Sequence, residues 1–485
     1  MTDKKPNLIL DELIFVAKKH LSLIILVLIC SGLFYFLIPY VAQELGYADI
    51  TETPYTGFMT LSTGVKMETA DYNAMALETR TVFNALPALE QQRVLTELFE
   101  IRKRIAETGN TWTAGITEVS LLNEEQRKNL FFSQEQTLAQ EQINQINPVQ
   151  ESLLAKYKNM GSIPSSFDWR NKDGKNYVSG EVGDQEDCGS CWAFAATGAI
   201  ESAFKIYYNQ PNKIYNLSEQ DLISCYKITT GCSKGENAYT AAFYLFGGYL
   251  QTTGITSENN FKYFAEEVSC DKYKSSNFIY NIYKTKNYIW ISYDNDTIRN
   301  LLYSVGPGSL SIYRVSSSIL YYKGGIYKDV ISSQQDPQLY QYTSHSVLLI
   351  GYGTGSFGDK YWTIKNSWGD DWGEQDEGGG GYGRVYEFNY RFNYIVPIEP
   401  VSEVKGDVWP VGSKYCGDGV VTLEDLYAMA KGIVTAGDSF NDCQKKKADL
   451  PTGSPCRPPD GEIDLFDMST LEDKYLGRPN CIDGW

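Results

Sequence analysis

One short run constrains this chain more than any other: Cys188-Gly189-Ser190-Cys191-Trp192-Ala193-Phe194. A small-residue turn delivers a cysteine to the start of an apolar stretch, with an aromatic directly behind it. Glycine and serine favour the turn, and the residues after Cys191 suit a buried helix. A thiol at a helix N-terminus lies at the positive end of the helix dipole, which lowers its pKa and favours the thiolate. A thiolate nucleophile of this kind needs an imidazole beside it. The chain has two histidines. His20 precedes an apolar N-terminal run, which leaves His345. That residue stands in Tyr342-Thr343-Ser344-His345-Ser346-Val347-Leu348-Leu349-Ile350-Gly351, read as a buried strand leading to a glycine turn.

Other motifs stand at intervals around this pair. Gln185 lies shortly before Cys191. Lys365-Asn366-Ser367-Trp368-Gly369 follows the aromatic strand Tyr361-Trp362-Thr363-Ile364. Ile163-Pro164-Ser165-Ser166-Phe167-Asp168-Trp169-Arg170, Leu217-Ser218-Glu219-Gln220-Asp221-Leu222, Gly231-Cys232-Ser233-Lys234-Gly235, Gly306-Pro307 and Gly324-Gly325-Ile326-Tyr327 complete the series. In this order, and over about half the chain, they resemble the papain/cathepsin cysteine proteases. The resemblance implies an α+β, papain-like two-lobe fold, one lobe helical and the other β-barrel-like, with the cleft between them. It implies Cys191 as nucleophile, His345 as base and acid, and Asn366 as the group that orients the imidazole. Trp368 would cover that contact at the substrate site, and Gly235 would touch the substrate backbone. Gln185 and the Cys191 N–H would hold the oxyanion. It also implies disulfides Cys188–Cys232 and Cys225–Cys270.

Departures from the family pattern are visible. Glu186-Asp187 replaces a glycine and a small residue, Ser344 stands where Asn or Asp commonly precedes the histidine, and Asp376-Glu377-Gly378-Gly379-Gly380 reads as an insertion. None removes a catalytic group. The rival reading is a catalytically silent papain-like scaffold used for binding or adhesion through its C-terminal module.

Ten cysteines include Cys191, which must stay free, and Cys30 in the apolar run. The rest suffice for bridges in an oxidising compartment. A formal net charge of −17 argues against nucleic acid as a partner and reads as a solvated acidic surface. The expected partners are protein or peptide substrates.

Residues 21–42 are uncharged and long enough to span a bilayer. Lys4, Lys5, Lys18 and Lys19 precede them, so the positive-inside rule leaves residues 1–20 as a cytosolic tail. The segment reads as a signal anchor to the membrane, or else as a cleaved signal peptide. Either places the enzyme in the secretory pathway: type II membrane-anchored, or lysosomal, vacuolar or extracellular after processing. Asn216-Leu217-Ser218 and Asn295-Asp296-Thr297 are glycosylation sequons there.

Residues 43–160 precede the mature-like start and carry two helical patterns, Pro87 to Arg104 and Glu124 to Gln142. They resemble an inhibitory helical prosegment, which would make the chain a zymogen; the alternative is a spacer. The peptidase domain is expected over residues 161–400.

Residues 401–485 carry a weak internal repeat, Asp418 to Leu426 and Asp460 to Met468, which resembles a small α-helical dockerin module. Its loops lack acidic residues at the first and third positions of a calcium loop. Cysteine staples, Cys416–Cys443 and Cys456–Cys481, are expected in place of a metal. No cofactor is expected, and Asp418, Asp425, Asp460, Asp464 and Asp467 are the residues left as calcium candidates. The module is also the surface on which a further protein partner would dock.

Overall fold

In this computed structural model the described residues are 57–131, 152, 154–157, 162–225, 232, 254–270, 281–292, 294–313, 315–330, 344–375, 379–387 and 391–404. The segment 21–42, Gly235, Asp376 to Gly378 and residues 405–485 of the expected 401–485 module lie outside them. Among the described residues no helix is long and apolar enough to cross a membrane.

Residues up to Ala74 are one unit. Its described part is an antiparallel hairpin of β1 (Phe58–Thr60) and β2 (Lys66–Glu68), followed by α1 (Thr69–Ala74).

The second unit begins at Met75. Helices α2 (Leu77–Ala85) and α3 (Ala88–Glu107) come first, with Pro87 at the N-cap of α3. Proline fits there because the N-terminal N–H groups of a helix have no intrahelical partner anyway. Val94, Leu98 and Ile101 form the buried stripe of α3, at helical spacing. Strand β3 (Thr113–Ala114) and helices α4 (Glu118–Leu121) and α5 (Glu124–Leu130) follow. Both helices start in reciprocal capping boxes, Thr117 with Ser120 and Asn123 with Gln126. The sequence pattern extends the last helix to Gln142, but it stops at Leu130. Phe131 is extended, at φ −123° and ψ 165°, because its ring is drawn onto His345 and Trp368.

The body of the unit comprises β4 (Phe167–Asp168), α6 (Cys191–Tyr207), α7 (Glu219–Cys225), β5 (Asn281–Ser292), α8 (Asn295–Ser304), β6 (Gly308–Tyr313), β7 (Tyr322–Gly324), β8 (Ile326–Tyr327), β9 (Ser344–Thr354), β10 (Lys360–Lys365), β11 (Tyr382–Tyr386) and β12 (Arg391–Val404). One mixed sheet runs β5-β12-β6-β9-β10-β11-β8, and β4 pairs with β9. The β5–β12 pairing continues to Asn281↔Val404, so the ladder passes residue 400. Helix α6 opens with Ala193, Ala195 and Ala196, good helix formers that allow close approach. It is buried on nearly every side, with Ile200 and Phe204 in the core and β9 packed against it. Strand β9 is buried along all but its last residue, as its unbroken apolar run requires. Cys188–Cys232 and Cys225–Cys270 are the disulfides on the helical side.

Candidate active site

Helix α6 begins at Cys191, and β9 places His345 at its second position. The Ser346 N–H reaches the Cys191 sulfur, so thiol and imidazole sit on adjacent elements. Cys191 is free of any disulfide and, like His345, is 1% exposed.

The imidazole is locked by one hydrogen bond. His345 Nε2 lies 2.7 Å from Asn366 Oδ1, and that oxygen also accepts the Ser367 N–H at 2.8 Å. The second contact fixes which end of the amide is oxygen. Asn366 Oδ1 must therefore accept from His345, and the neutral ring carries its proton on Nε2. Nδ1 is left as the basic nitrogen. The Trp368 ring stacks on the imidazole at 4.4 Å and 26°, which keeps water from the His–Asn bond. Asn366 is held from behind by donating its N–H to the Gly381 carbonyl.

Gln185 is fully buried. Its N–H donates to the Ser367 carbonyl, its Oε1 accepts from Ser367 Oγ at 2.8 Å, and its Nε2 donates to the Cys188 carbonyl at 2.8 Å. One hydrogen of Nε2 remains for another acceptor. Lys365 ties the neighbouring backbone down by donating to the carbonyls of Ser179, Gly180 and Glu181. The buried Glu201 is pushed up to about 7 and the half-buried Glu219 to about 8, in each case first by loss of solvent.

The 75–131 segment covers this constellation. The Phe131 ring meets His345 at 5.9 Å and Trp368 at 5.7 Å, edge-on to both. The Leu130 backbone also reaches the imidazole. The helix dipole alone favours a low thiol pKa, but here the opposite holds. Burial pushes Cys191 up to about 12, against the N–H groups of Ser346, Trp192 and Cys191 itself. Burial likewise pulls His345 down to about 4, against its hydrogen bond to Asn366 and the nearby Leu130 backbone, both of which favour the charged ring. Desolvation disfavours both charged forms at once, so the covered pair is neutral.

Further along, Trp112 Nε1 donates to the Lys328 carbonyl at 2.9 Å, and its ring packs on Tyr327 at 5.0 Å. Strand β3 pairs antiparallel with β7, and the Gly115 N–H donates to the Tyr321 carbonyl. Gly325 makes this approach feasible: a Cβ there would lie 2.8 Å from Trp112 Cα, and its φ is +88°. Asp371 accepts from Thr79 Oγ1, the Glu118 N–H and Lys323 Nζ. Glu97 accepts from Arg127 and Tyr321.

The structure thus brings Cys191, His345, Asn366, Gln185 and Trp368 together. Sequence reasoning missed the roles of Phe131, Trp112 and Asp371, whose partners lie far away in the chain. The aromatic run Phe131-Phe132 after a capped helix is the one local signal. Among the described residues no group of acidic, cysteine or histidine side chains is arranged to hold a metal.

Residues 163–389 match the model of the papain family cysteine proteases. The chain is 34% identical over 222 residues to vignain of Vigna mungo, covering 45% of this chain and 54% of that protein. It is 37% identical over 216 residues to procathepsin L of Felis catus, covering 44% and 58%. The chain thus spans between half and two thirds of the length of these curated relatives. Among solved structures, digestive procathepsin L2 proteinase from Tenebrio molitor larval midgut is 25% identical, covers 66% of this chain and 94% of its own, and has a TM-score of 0.48. Over residues 163–389 the protein is homologous to papain-family cysteine peptidases, and its fold is papain-like, with helical and sheet lobes.

Proposed function

We propose, from the papain-family match over residues 163–389, that this protein is a cysteine endopeptidase made as a zymogen. One observation carries the reading: a free thiol at a helix N-terminus lies beside a histidine whose Nε2 is committed to Asn366, so Nδ1 is its basic nitrogen. Once uncovered, Nδ1 takes the proton of Cys191. The thiolate attacks the peptide carbonyl, and the imidazolium returns the proton to the leaving amine. Water then releases the acyl group, with His345 again as base. Gln185 Nε2 and the Cys191 N–H receive the oxyanion in both steps, and Asn366 keeps the ring in line.

Residues 75–131 act as the inhibitor in this reading. Phe131 and Leu130 occupy the space over His345 that a substrate needs, and the dry site they make leaves thiol and imidazole uncharged. The anchor at residues 21–42, the secretory route and the partner-binding tail 401–485 belong to the same proposal on sequence grounds. The test is labelling by a thiol-reactive peptide probe before and after removal of residues up to about 160. Labelling of Cys191 after removal only, and none in Cys191→Ala, supports an inhibited enzyme. No labelling in either form supports the silent scaffold.

A further inference from the structure

Ser190 occupies the N-cap of α6, where a serine hydroxyl ordinarily accepts a helix N–H. Here it accepts none. The hydroxyl instead lies 2.7 Å from the Tyr263 hydroxyl, which donates in turn to the Gln185 carbonyl at 2.9 Å. Since Tyr263 spends its one proton on Gln185, Ser190 is the donor in the first contact. The chain runs Ser190 Oγ–H to Tyr263 O–H to the Gln185 carbonyl.

These two end points flank the oxyanion groups. Gln185 carries the side-chain donor, and Ser190 immediately precedes the Cys191 N–H. The loop between them is otherwise closed by short backbone bonds, Cys188 N–H to Gln185 and Ser190 N–H to Cys188. Tyr263 comes from a different part of the chain and bridges the loop across its open side. It is itself fixed, because its N–H donates to Glu258 Oε1 at 2.7 Å and its ring meets Phe194 of α6 edge-on at 5.0 Å. Its hydroxyl stays protonated, since burial first of all drives its pKa well above the ordinary tyrosine value.

We propose that Tyr263 is a positioning residue for the oxyanion hole. It sets the distance between Gln185 and the first turn of α6, and it keeps the Ser190 hydroxyl turned away from the helix N–H groups. When Sγ bonds to the substrate carbonyl carbon, the C=O electron pair moves onto oxygen, and that oxygen must meet both donors at once. The inference rests on the cysteine-peptidase reading above.

The experiment uses the full chain after activation. Tyr263→Phe removes only the hydroxyl. Two rates are compared with wild type: turnover of a peptide amide, and alkylation of Cys191 by iodoacetamide, a displacement that forms no oxyanion. The expected result is a fall in kcat of about tenfold, below the hundredfold or more that follows loss of a donor itself, with KM within about twofold. The alkylation rate and its pH profile stay at wild-type values. Ser190→Ala breaks the same chain and gives the same split; in the double variant the losses do not multiply. Unchanged kcat in both variants, or equal loss of turnover and alkylation, overturns the proposal. If Tyr263→Phe does not fold, Ser190→Ala alone decides. A wild type that neither alkylates nor turns over defeats the peptidase reading instead.

Discussion

Two of the places where the 75–131 segment meets the papain-like body differ in kind. Around Trp112 the contact is structural: a ring buried against Tyr327, an indole N–H on Lys328 and a β3–β7 backbone pairing. No titratable side chain carries it. Around Phe131 there is no strand ladder. One ring, Phe131, meets His345 and Trp368 edge-on, and the Leu130 backbone reaches the imidazole, a group whose charge depends on pH. In the proposed zymogen the difference separates two tasks: one region holds the segment in place, and the other silences the chemistry. Between them, Glu97 accepts from Arg127 within the segment and from Tyr321 of the body, coupling the two regions electrostatically.

The largest effect is expected at the anchor. Trp112→Ala removes a nearly fully buried indole, a change that costs about 3–5 kcal/mol in a packed site. Amide exchange at Thr113 and Gly115 in the zymogen should lose its protection, and activation should speed up. Slow exchange at wild-type levels would show that the β3–β7 pairing holds without the ring.

Next comes pH. His345 has a lowered pKa, about 4 when covered against an ordinary 6.5. On uncovering, the imidazole takes its proton from Cys191, so the pair binds one proton in either state near neutrality and gives the covered form no pH slope there; a slope starts only in acid, where the uncovered thiolate is itself protonated and the uncovered pair binds one proton more. The limit is about tenfold per pH unit from this one group. Glu97 adds in the same direction. Burial raises its pKa, but Arg127, Tyr321 and Arg93 outweigh it, so its contribution is present at neutral pH and lost in acid. Glu118 opposes them, because burial and the nearby Asp184 and Asp371 raise its pKa. It is half-exposed, so solvent screens it. Exposure of Phe131 to solvent on acidification should therefore rise only below about pH 4.5, the ordinary value from which Glu97 is lowered. A rise already complete above that pH would show that His345 charges without drawing its proton from Cys191, and would break the distinction between the two regions.

The coupling between them should be worth less. Arg127→Ala leaves Glu97 without its main counter-charge and is expected to weaken the covered state by about 2 kcal/mol at neutral pH. The loss should shrink in acid, where Glu97 is protonated in both forms. Smallest is Phe131→Leu, which keeps an apolar plug and should cost about 1 kcal/mol. It should change inhibition while leaving exchange at Thr113 untouched, which sharpens the separation of anchor from plug.

Much of this site was legible in the sequence because its chemistry is local. Cys191 at the head of an apolar run, and a single histidine left to serve it, name the pair without coordinates. Lys365-Asn366-Ser367-Trp368 is short enough to read as one motif. What escaped depends on long-range contact. Nothing near Phe131 in the chain says that it meets His345, and its position ended a helix that the sequence pattern continues to Gln142. The direction of the Cys191 shift escaped for the same reason. A helix N-terminus is visible in sequence, whereas the desolvation that outweighs it comes from residues over fifty positions away. Tyr263 contacts Gln185 and Ser190 across a similar gap.

In the proposed zymogen the site is complete, and covering it alone keeps it silent. The most direct test is the pH dependence of Cys191 alkylation by iodoacetamide in the intact zymogen and in the form cleaved at about residue 160. Almost no reaction is expected in the intact chain at neutral pH, where burial pushes the thiol up to about 12. Fast reaction is expected after cleavage, with a thiolate formed well below neutrality. Equal alkylation rates and equal profiles in the two forms would contradict it.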